Sequence, residues 1–103
     1  MCKVEFHGCE YQVVFGYYPH STHLCASLEY DGKPAGMVST TTLDHLAADE
    51  IVVPREHAES GLLDALVHED ILVRTYRMVM THKGLARVCR VMPAVAKPQV
   101  KAA

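Results

Sequence analysis

The chain contains no tryptophan, no Cys-x-x-Cys pair and no long hydrophobic run. None of its apolar stretches approaches the roughly 20 residues that a helix needs to cross a bilayer. Its first residues, MCKVEFHG, do not join a basic region to an apolar core, as a secretion signal does. These absences predict a cytoplasmic protein whose four cysteines are free thiols: Cys2, Cys9, Cys25 and Cys89.

Catalytic signatures are also missing. The sequence has no phosphate-binding Gly-rich loop, no nucleophile elbow and no dinucleotide fingerprint. A cysteine nucleophile with a histidine base is conceivable, but no local motif supports it. Glu56, His57 and Glu59 are candidates for an acid–base group, although a solvated helix N-terminus explains them equally well. We therefore predict a protein that is not an enzyme and that uses no cofactor.

One cluster has the residue types of a metal site. His20, His23 and Cys25 lie within six residues, and imidazole and thiolate are ligands that zinc prefers. Their spacing matches no common zinc signature, and a fourth ligand would have to come from elsewhere. Exposed histidines in a turn are the alternative interpretation, and we predict no metal.

The length of 103 residues fits one domain with a modest core. We predict that this domain spans residues 1–92. Residues 93–103 are rich in Ala, Pro and Lys and are predicted to form a disordered C-terminal tail.

Only one segment has a helical pattern. Within residues 50–70, a short strand and Pro54 precede four apolar residues on one helical face, Leu62, Leu63, Leu66 and Val67. This pattern predicts one helix over about residues 57–69, with Ser60 as a candidate N-cap and Gly61 in the first turn. A helix this short is marginal alone and needs a sheet to pack on.

The remaining segments alternate between apolar and polar residues, which is typical of strands. Asp31-Gly32 is the strongest hairpin turn. The sequence predicts an α+β fold with one mainly antiparallel sheet of five to seven strands and a single helix packed on it. The predicted strands are residues 3–7, 11–18, 24–30, 35–42, 50–53, 71–80 and 85–92.

Charge is divided unevenly along the chain. Residues 44–70 contain eight acids and one base, for a net charge of −7, whereas residues 71–103 contain seven bases and no acid, for +7. Such asymmetry indicates a charged partner. Mutual neutralisation of the two segments within the fold is the other interpretation.

The basic segment suggests one function. Arg74, Arg77, Arg87 and Arg90, with Tyr76 between them, are the residues that a nucleic-acid-binding hairpin would use to contact phosphates and stack a base. However, Arg74 and Arg77 are expected on opposite faces of a strand, as are Arg87 and Arg90. Charged, solvated edge strands are the alternative.

Five motifs follow one another along the chain: EFHGCEYQVVFGYY, DGKP, DEIVV, GLLDAL and GLARVCRV. Their order resembles that of a family of small domain-of-unknown-function proteins encoded by phages, plasmids and integrative elements. The chain departs from the family at two places. The family's Glu-Asn pair before the helix glycine is replaced by Ala58 and Glu59, and its Thr-Val-Asn-type end of the return strand is replaced by Thr41 and Thr42.

This resemblance implies a phage or mobile-element protein in the cytoplasm of a bacterial host. Proteins of this kind often act by binding, so we predict an inhibitor of a host defence complex, of the anti-CRISPR or anti-restriction type. Its partner would be a host nuclease or CRISPR effector complex with a basic nucleic-acid channel. A dimer role for the same face is the other option. The predicted partner-binding residues are the helix-side acids Glu56, Glu59, Asp64, Glu69 and Asp70.

Overall fold

A computed structural model describes residues 2–19 and 21–92, so His20 and the predicted tail at residues 93–103 lie outside the described residues. Within them the chain forms seven strands and two short helices. In chain order these are β1 (Lys3–Phe6), β2 (Cys9–Tyr17), β3 (Leu24–Tyr30), β4 (Lys33–Met37), β5 (Glu50–Val53), α1 (Arg55–Ser60), α2 (Leu62–His68), β6 (Leu72–Thr81) and β7 (Gly84–Val91).

The first sheet is an antiparallel meander in the order β1-β2-β3-β4. Its inner face follows from strict alternation. Val13 pairs with Leu28 and Phe15 with Ala26, and all four side chains are buried. Large apolar residues recurring every second position therefore line one face, as the period of a strand requires.

A buried serine guides the chain from the first sheet to the second. The Ser39 hydroxyl oxygen accepts the backbone N–H of Ala26 at 2.9 Å and lies 2.7 Å from the hydroxyl oxygen of Tyr18. The Ala26 carbonyl in turn accepts the N–H groups of Val38 and Ser39. These bonds replace the sheet ladder where β4 has ended, and one bridge, Thr40 to Val52, then reaches β5.

The second sheet has the order β5-β7-β6 and is covered on both faces. Its inner face, defined by Ile51, Val53, Cys89 and Val91, belongs to the main core shared with the first sheet. Its outer face is formed by Val52, Val79, Ala86 and Val88, and Leu46 from the loop at residues 41–49 packs on them. Strand β5 is buried along its whole length for this reason.

The helical segment consists of two helices rather than the one that we predicted. Gly61 separates them with a left-handed φ of 92°, so it does not lie in the first turn of a helix. Ser60 is not an N-cap either: its hydroxyl donates to the carbonyl of His57 at 3.3 Å. Helix α1 begins directly after Pro54, whose fixed φ suits a helix start.

Helix α2 fills the space between the two sheets. It contacts β1 of the first sheet and β6 of the second, while β3 lies against β5. Leu62, Leu63 and Leu66 are almost completely buried there. The α+β class and the antiparallel pairing are confirmed, but the single sheet was wrong, because the chain leaves the first sheet at Val38 and starts a separate one at β5. No helix of the described part is long and apolar enough to span a membrane.

Gly61→Ala should lower the free energy of unfolding by about 1 kcal/mol, because an L-residue pays for a left-handed backbone that glycine adopts freely. Crowding would add nothing, since no atom lies within 4 Å of the position that a Cβ would take. Urea denaturation measures the change. Ser60→Ala is the matched control at the exposed neighbouring position and should change the free energy of unfolding by much less. Equal losses of stability in both variants would contradict a left-handed backbone at Gly61.

Candidate functional site

The two charged segments meet in the fold. Four ion pairs join an acid of residues 44–70 to a base of residues 71–92. This arrangement agrees with the interpretation that the two segments neutralise each other within the fold. These pairs are Asp49 with Arg90, Glu50 with Arg77, Glu56 with Lys83, and Asp64 with Arg74. They arise because β7 and β6 lie beside β5 and the helices, so sequence charge overstates the charge of the surface.

Three of the five acids predicted to bind a partner already form ion pairs with lysine or arginine residues of this chain. Lys83 Nζ lies 3.1 Å from Glu56 Oε1, and the hydrogen bond from this ammonium, followed by its charge, lowers the pKa of Glu56. Arg55 Nε donates to Glu59 Oε2 at 3.0 Å, one turn along α1. Asp64 accepts from Arg74. All three carboxylates are well exposed, so water screens these pairs and they contribute little to stability.

The other two acids, Glu69 and Asp70, form what we call the acidic corner, at the end of α2. Both are exposed and neither makes an ion pair within the described residues. The N–H of Asp70 bonds the carbonyl of Val67, and the N–H of Ile71 bonds that of Leu66. These two bonds form a Schellman motif, in which Asp70 takes the left-handed position usually held by glycine, with a φ of 59°.

The acidic corner is locally unfavourable. Carboxylates lie at the negative end of the α2 dipole, where cations are preferred. A non-glycine residue in the left-handed region adds strain, although aspartate tolerates it better than most residues. Such departures from the best local choice are common where a residue is kept for function.

The four arginines of the basic hairpin lie on two faces of the second sheet, as the alternation of strand residues predicted. Cross-strand pairing places Arg74 opposite Cys89 on the inner face and Arg77 opposite Val88 on the outer face. A bulge lies between them, where the Thr75 hydroxyl donates to the carbonyl of Val88 at 2.7 Å and Tyr76 has a φ of 63°. Because β7 alternates in the same way, Arg87 and Arg90 also lie on opposite faces.

Arg77 acts within the structure as a clamp. Its guanidinium donates to the His45 carbonyl at 2.9 Å and to Glu50 Oε1 at 3.4 Å. Glu50 is 8% exposed, and the same oxygen accepts the N–H of Ala47 at 2.8 Å. Glu50 and Arg77 together hold the loop that carries Leu46 onto the outer face. The opposite charges of the two segments were the one sign of this pair that could be read from the sequence.

Among the four arginines, Arg87 differs from the others. Arg90 Nε lies 3.3 Å from Asp49, and Arg74 and Arg77 are paired as described above. Arg87 makes no ion pair within the described ranges and is exposed on the inner-face side of β7, opposite Met78. The sequence predicted that Arg87 and Arg90 lie on opposite faces, and the structure adds that Arg87 is the one of the four arginines without an ion pair in the described residues.

The other candidates from the sequence are the acid–base group at His57, the cysteine nucleophiles and the metal cluster, and none forms a catalytic or metal-binding arrangement in the described residues. His57 Nε2 lies 2.7 Å from the carbonyl of Met37, which ties α1 to the end of β4. Burial raises the pKa of the Cys2, Cys25 and Cys89 thiols, that of Cys89 to about 11, and so disfavours their nucleophilic thiolates. The described residues contain no group of three His, Cys, Asp or Glu side chains able to hold a metal, and His20 of the candidate cluster with His23 and Cys25 lies outside them.

Compared with protein-family models, with curated proteins and with solved structures, the chain gives no match. The resemblance to mobile-element proteins therefore stays a prediction from the sequence.

Glu50→Ala should lower the free energy of unfolding by about 1–3 kcal/mol, because it leaves the N–H of Ala47 and the guanidinium of Arg77 without their shared acceptor. Thermal or urea denaturation measures the loss. Glu59→Ala is the control, since it removes an exposed pair and should cost at most about 1 kcal/mol. If Glu50→Ala cost no more than Glu59→Ala, the clamp would have no structural role.

Asp70→Gly should raise the free energy of unfolding by about 1 kcal/mol, since it relieves the left-handed strain and removes a charge from the helix C-terminus. Asp70→Asn separates the two effects, because asparagine keeps the side-chain shape and tolerates the same backbone. Its gain should be smaller, measured by the same denaturation series. A loss of stability in both variants would show that the carboxylate has a stabilising contact.

Proposed function

We propose that this protein is a phage or mobile-element accessory protein that acts in the bacterial cytoplasm by binding another protein. The partner is a host defence complex, a nuclease or a CRISPR effector, and binding inhibits it. The observation that carries the proposal is the acidic corner, Glu69 and Asp70. These two adjacent exposed carboxylates make no ion pair in the described part, whereas five other acids of residues 44–70 are each paired with a lysine or arginine of this chain.

Of the five acids that the sequence suggests for this role, two support the proposal better than the other three. Glu56, Glu59 and Asp64 already hold cations of this chain, so a partner's lysine or arginine would have to displace Lys83, Arg55 or Arg74. Glu69 and Asp70 can accept such a cation directly. Their local cost to stability supports a role outside the fold, since a glycine at position 70 would serve the helix end better.

The mechanism is steric and electrostatic. A channel that binds nucleic acid is lined with lysine and arginine, and exposed carboxylates that approach it raise the rate of encounter. Once bound, the bulk of the domain excludes the nucleic acid. Affinity differences among variants of such an interface appear mainly in the dissociation rate, which the buried contacts set.

Nucleic-acid binding by the basic hairpin receives less support. Three of the four arginines make ion pairs within the chain, and the four lie on two faces of the second sheet. A phosphate backbone running along one face would meet two of them at most, and would compete with Asp64 or with Asp49 and Glu50 for them.

The test is capture of proteins from bacterial lysate on the immobilised full-length chain, with identification by mass spectrometry. Recovery of a nuclease or a CRISPR effector subunit is expected from the wild-type chain. The Glu69→Gln/Asp70→Asn variant should lose that subunit, because it removes both charges while keeping side-chain size and the left-handed backbone.

The matched control is Glu5→Gln/Asp31→Asn. It removes the same two charges elsewhere on the surface, and Asp31 has a left-handed φ of 54°, like Asp70. This variant should capture the subunit as the wild type does. Capture that survives in both variants would exclude the acidic corner as the contact, and capture without any nuclease or effector subunit would exclude the proposed class of partner.

A further inference from the structure

A second surface lies at the far end of the β6–β7 hairpin, one strand length from the acidic corner. Three large apolar side chains there are about half exposed: Met78 at 48%, Met80 at 61% and Leu85 at 53%. Met80 pairs with Leu85 and Met78 with Arg87 across the strands, so the four side chains share the inner-face side of the second sheet. We call this set the hairpin patch.

The patch is exposed because the elements that bury the inner face of the second sheet do not extend as far as these residues. Nearer the start of the hairpin, Cys89 and Val91 on the same side of β7 are buried in the main core. Farther along, the start of α1 lies near this face. It leaves an open groove of about 460 Å³, lined by Arg55, Met78, Lys83, Leu85 and Arg87 among others. Apolar residues that continue a core row into solvent indicate a docking surface rather than scattered exposure.

The rim of the groove is cationic. Arg55 and Lys83 each hold one carboxylate of α1, Glu59 and Glu56. Arg87 has no such partner in the described part of the chain, so its guanidinium keeps the hydrogen-bond donors that fit a carboxylate. An occupant that carries a carboxylate beside apolar side chains would complement both features of this surface.

A second copy of the chain is a poorer occupant. A symmetric dimer through the patch would bring two Arg87 guanidinium groups towards each other, since each copy presents the same surface. Extension of the sheet along the edge of β6 is also obstructed. The Thr42 hydroxyl donates to the Met80 carbonyl at 2.9 Å, and the bulge at Thr75 and Tyr76 interrupts the strand.

We propose that the hairpin patch binds a segment of another protein in which apolar side chains flank an aspartate or glutamate. The apolar side chains pack against Met78, Met80 and Leu85, and the carboxylate accepts from Arg87. This surface is separate from the acidic corner, so the inference does not depend on the proposed inhibition of a defence complex.

The test is selection from a random peptide display library on the immobilised full-length chain. Enriched sequences should combine apolar residues with Asp or Glu. The chemically synthesised winner should bind with a dissociation constant that rises about tenfold when Arg87 becomes Gln, as expected for the loss of one charge-assisted hydrogen bond. Arg90→Gln is the matched control on the opposite face and should leave the affinity unchanged.

The methyl groups of the methionines locate the binding site. In a carbon-13 methyl-methionine spectrum, the peptide should shift Met78 and Met80 and leave Met37, which lies on β4, in place. Leu85→Ser, a substitution at a half-exposed position that the core does not use, should weaken the peptide without unfolding the chain. Circular dichroism checks that the fold is kept.

Several outcomes would overturn the proposal. They are a lack of enrichment, enriched peptides without acids, affinity that is equal in Arg87→Gln and wild type, and shifts at Met37 alone. Methionine shifts that grow with protein concentration in the absence of peptide would assign the patch to a second copy. Tighter binding of a single-stranded oligonucleotide than of the peptide, at equal salt, would assign it to nucleic acid.

Discussion

Burial of three leucines of α2 between the two sheets is the interaction on which the rest of the structure depends. Leu62, Leu63 and Leu66 contribute to one core with both sheets, and each contributes about 1.5–3 kcal/mol when buried. Each of the two sheets has an apolar face that must be covered by another element, and here the helices and the opposite sheet cover it. The helices therefore make the two sheets one cooperative unit, and the left-handed turn at Gly61 is what allows α2 to take the required direction.

Many charged side chains around this core pair with one another across elements and do not gather into one acidic and one basic surface. Four ion pairs fasten the hairpin to the elements that precede it, and one of them, Glu50 with Arg77, is buried enough to hold a loop in place. Two sets of exposed groups outside these pairs lie near opposite ends of β6. One end presents carboxylates, and the other presents a cation beside apolar side chains.

Local sequence patterns predicted most strand positions but predicted assembly poorly. The strand predicted over residues 35–42 was wrong, because β4 spans Lys33–Met37 and the chain then leaves the first sheet. Alternation located β2, β3 and β7, because burial on one face imposes a period of two on each strand by itself. The break at Gly61 was missed, since a glycine is compatible with a helix start and with a left-handed turn until the packing decides. The division into two sheets, and the pairing of Arg77 with Glu50 or of Arg74 with Asp64, depend on which strands become neighbours. No local period encodes that information. The sequence also did not predict the bulge at Tyr76. Arg74 and Arg77 nevertheless lie on opposite faces, as predicted.

The burial of Cys89 gives the molecule a built-in measure of its own opening. This thiol lies in the centre of β7, inside the core that joins the two sheets, whereas Cys2, Cys9 and Cys25 are only partly buried. A small alkylating reagent can therefore label the outer three in the folded chain but reaches Cys89 only in molecules whose sheets have separated. The mass added to the protein over time would then distinguish local fraying from global unfolding. No engineered label is needed, since every molecule carries one cysteine that the native core protects from the reagent.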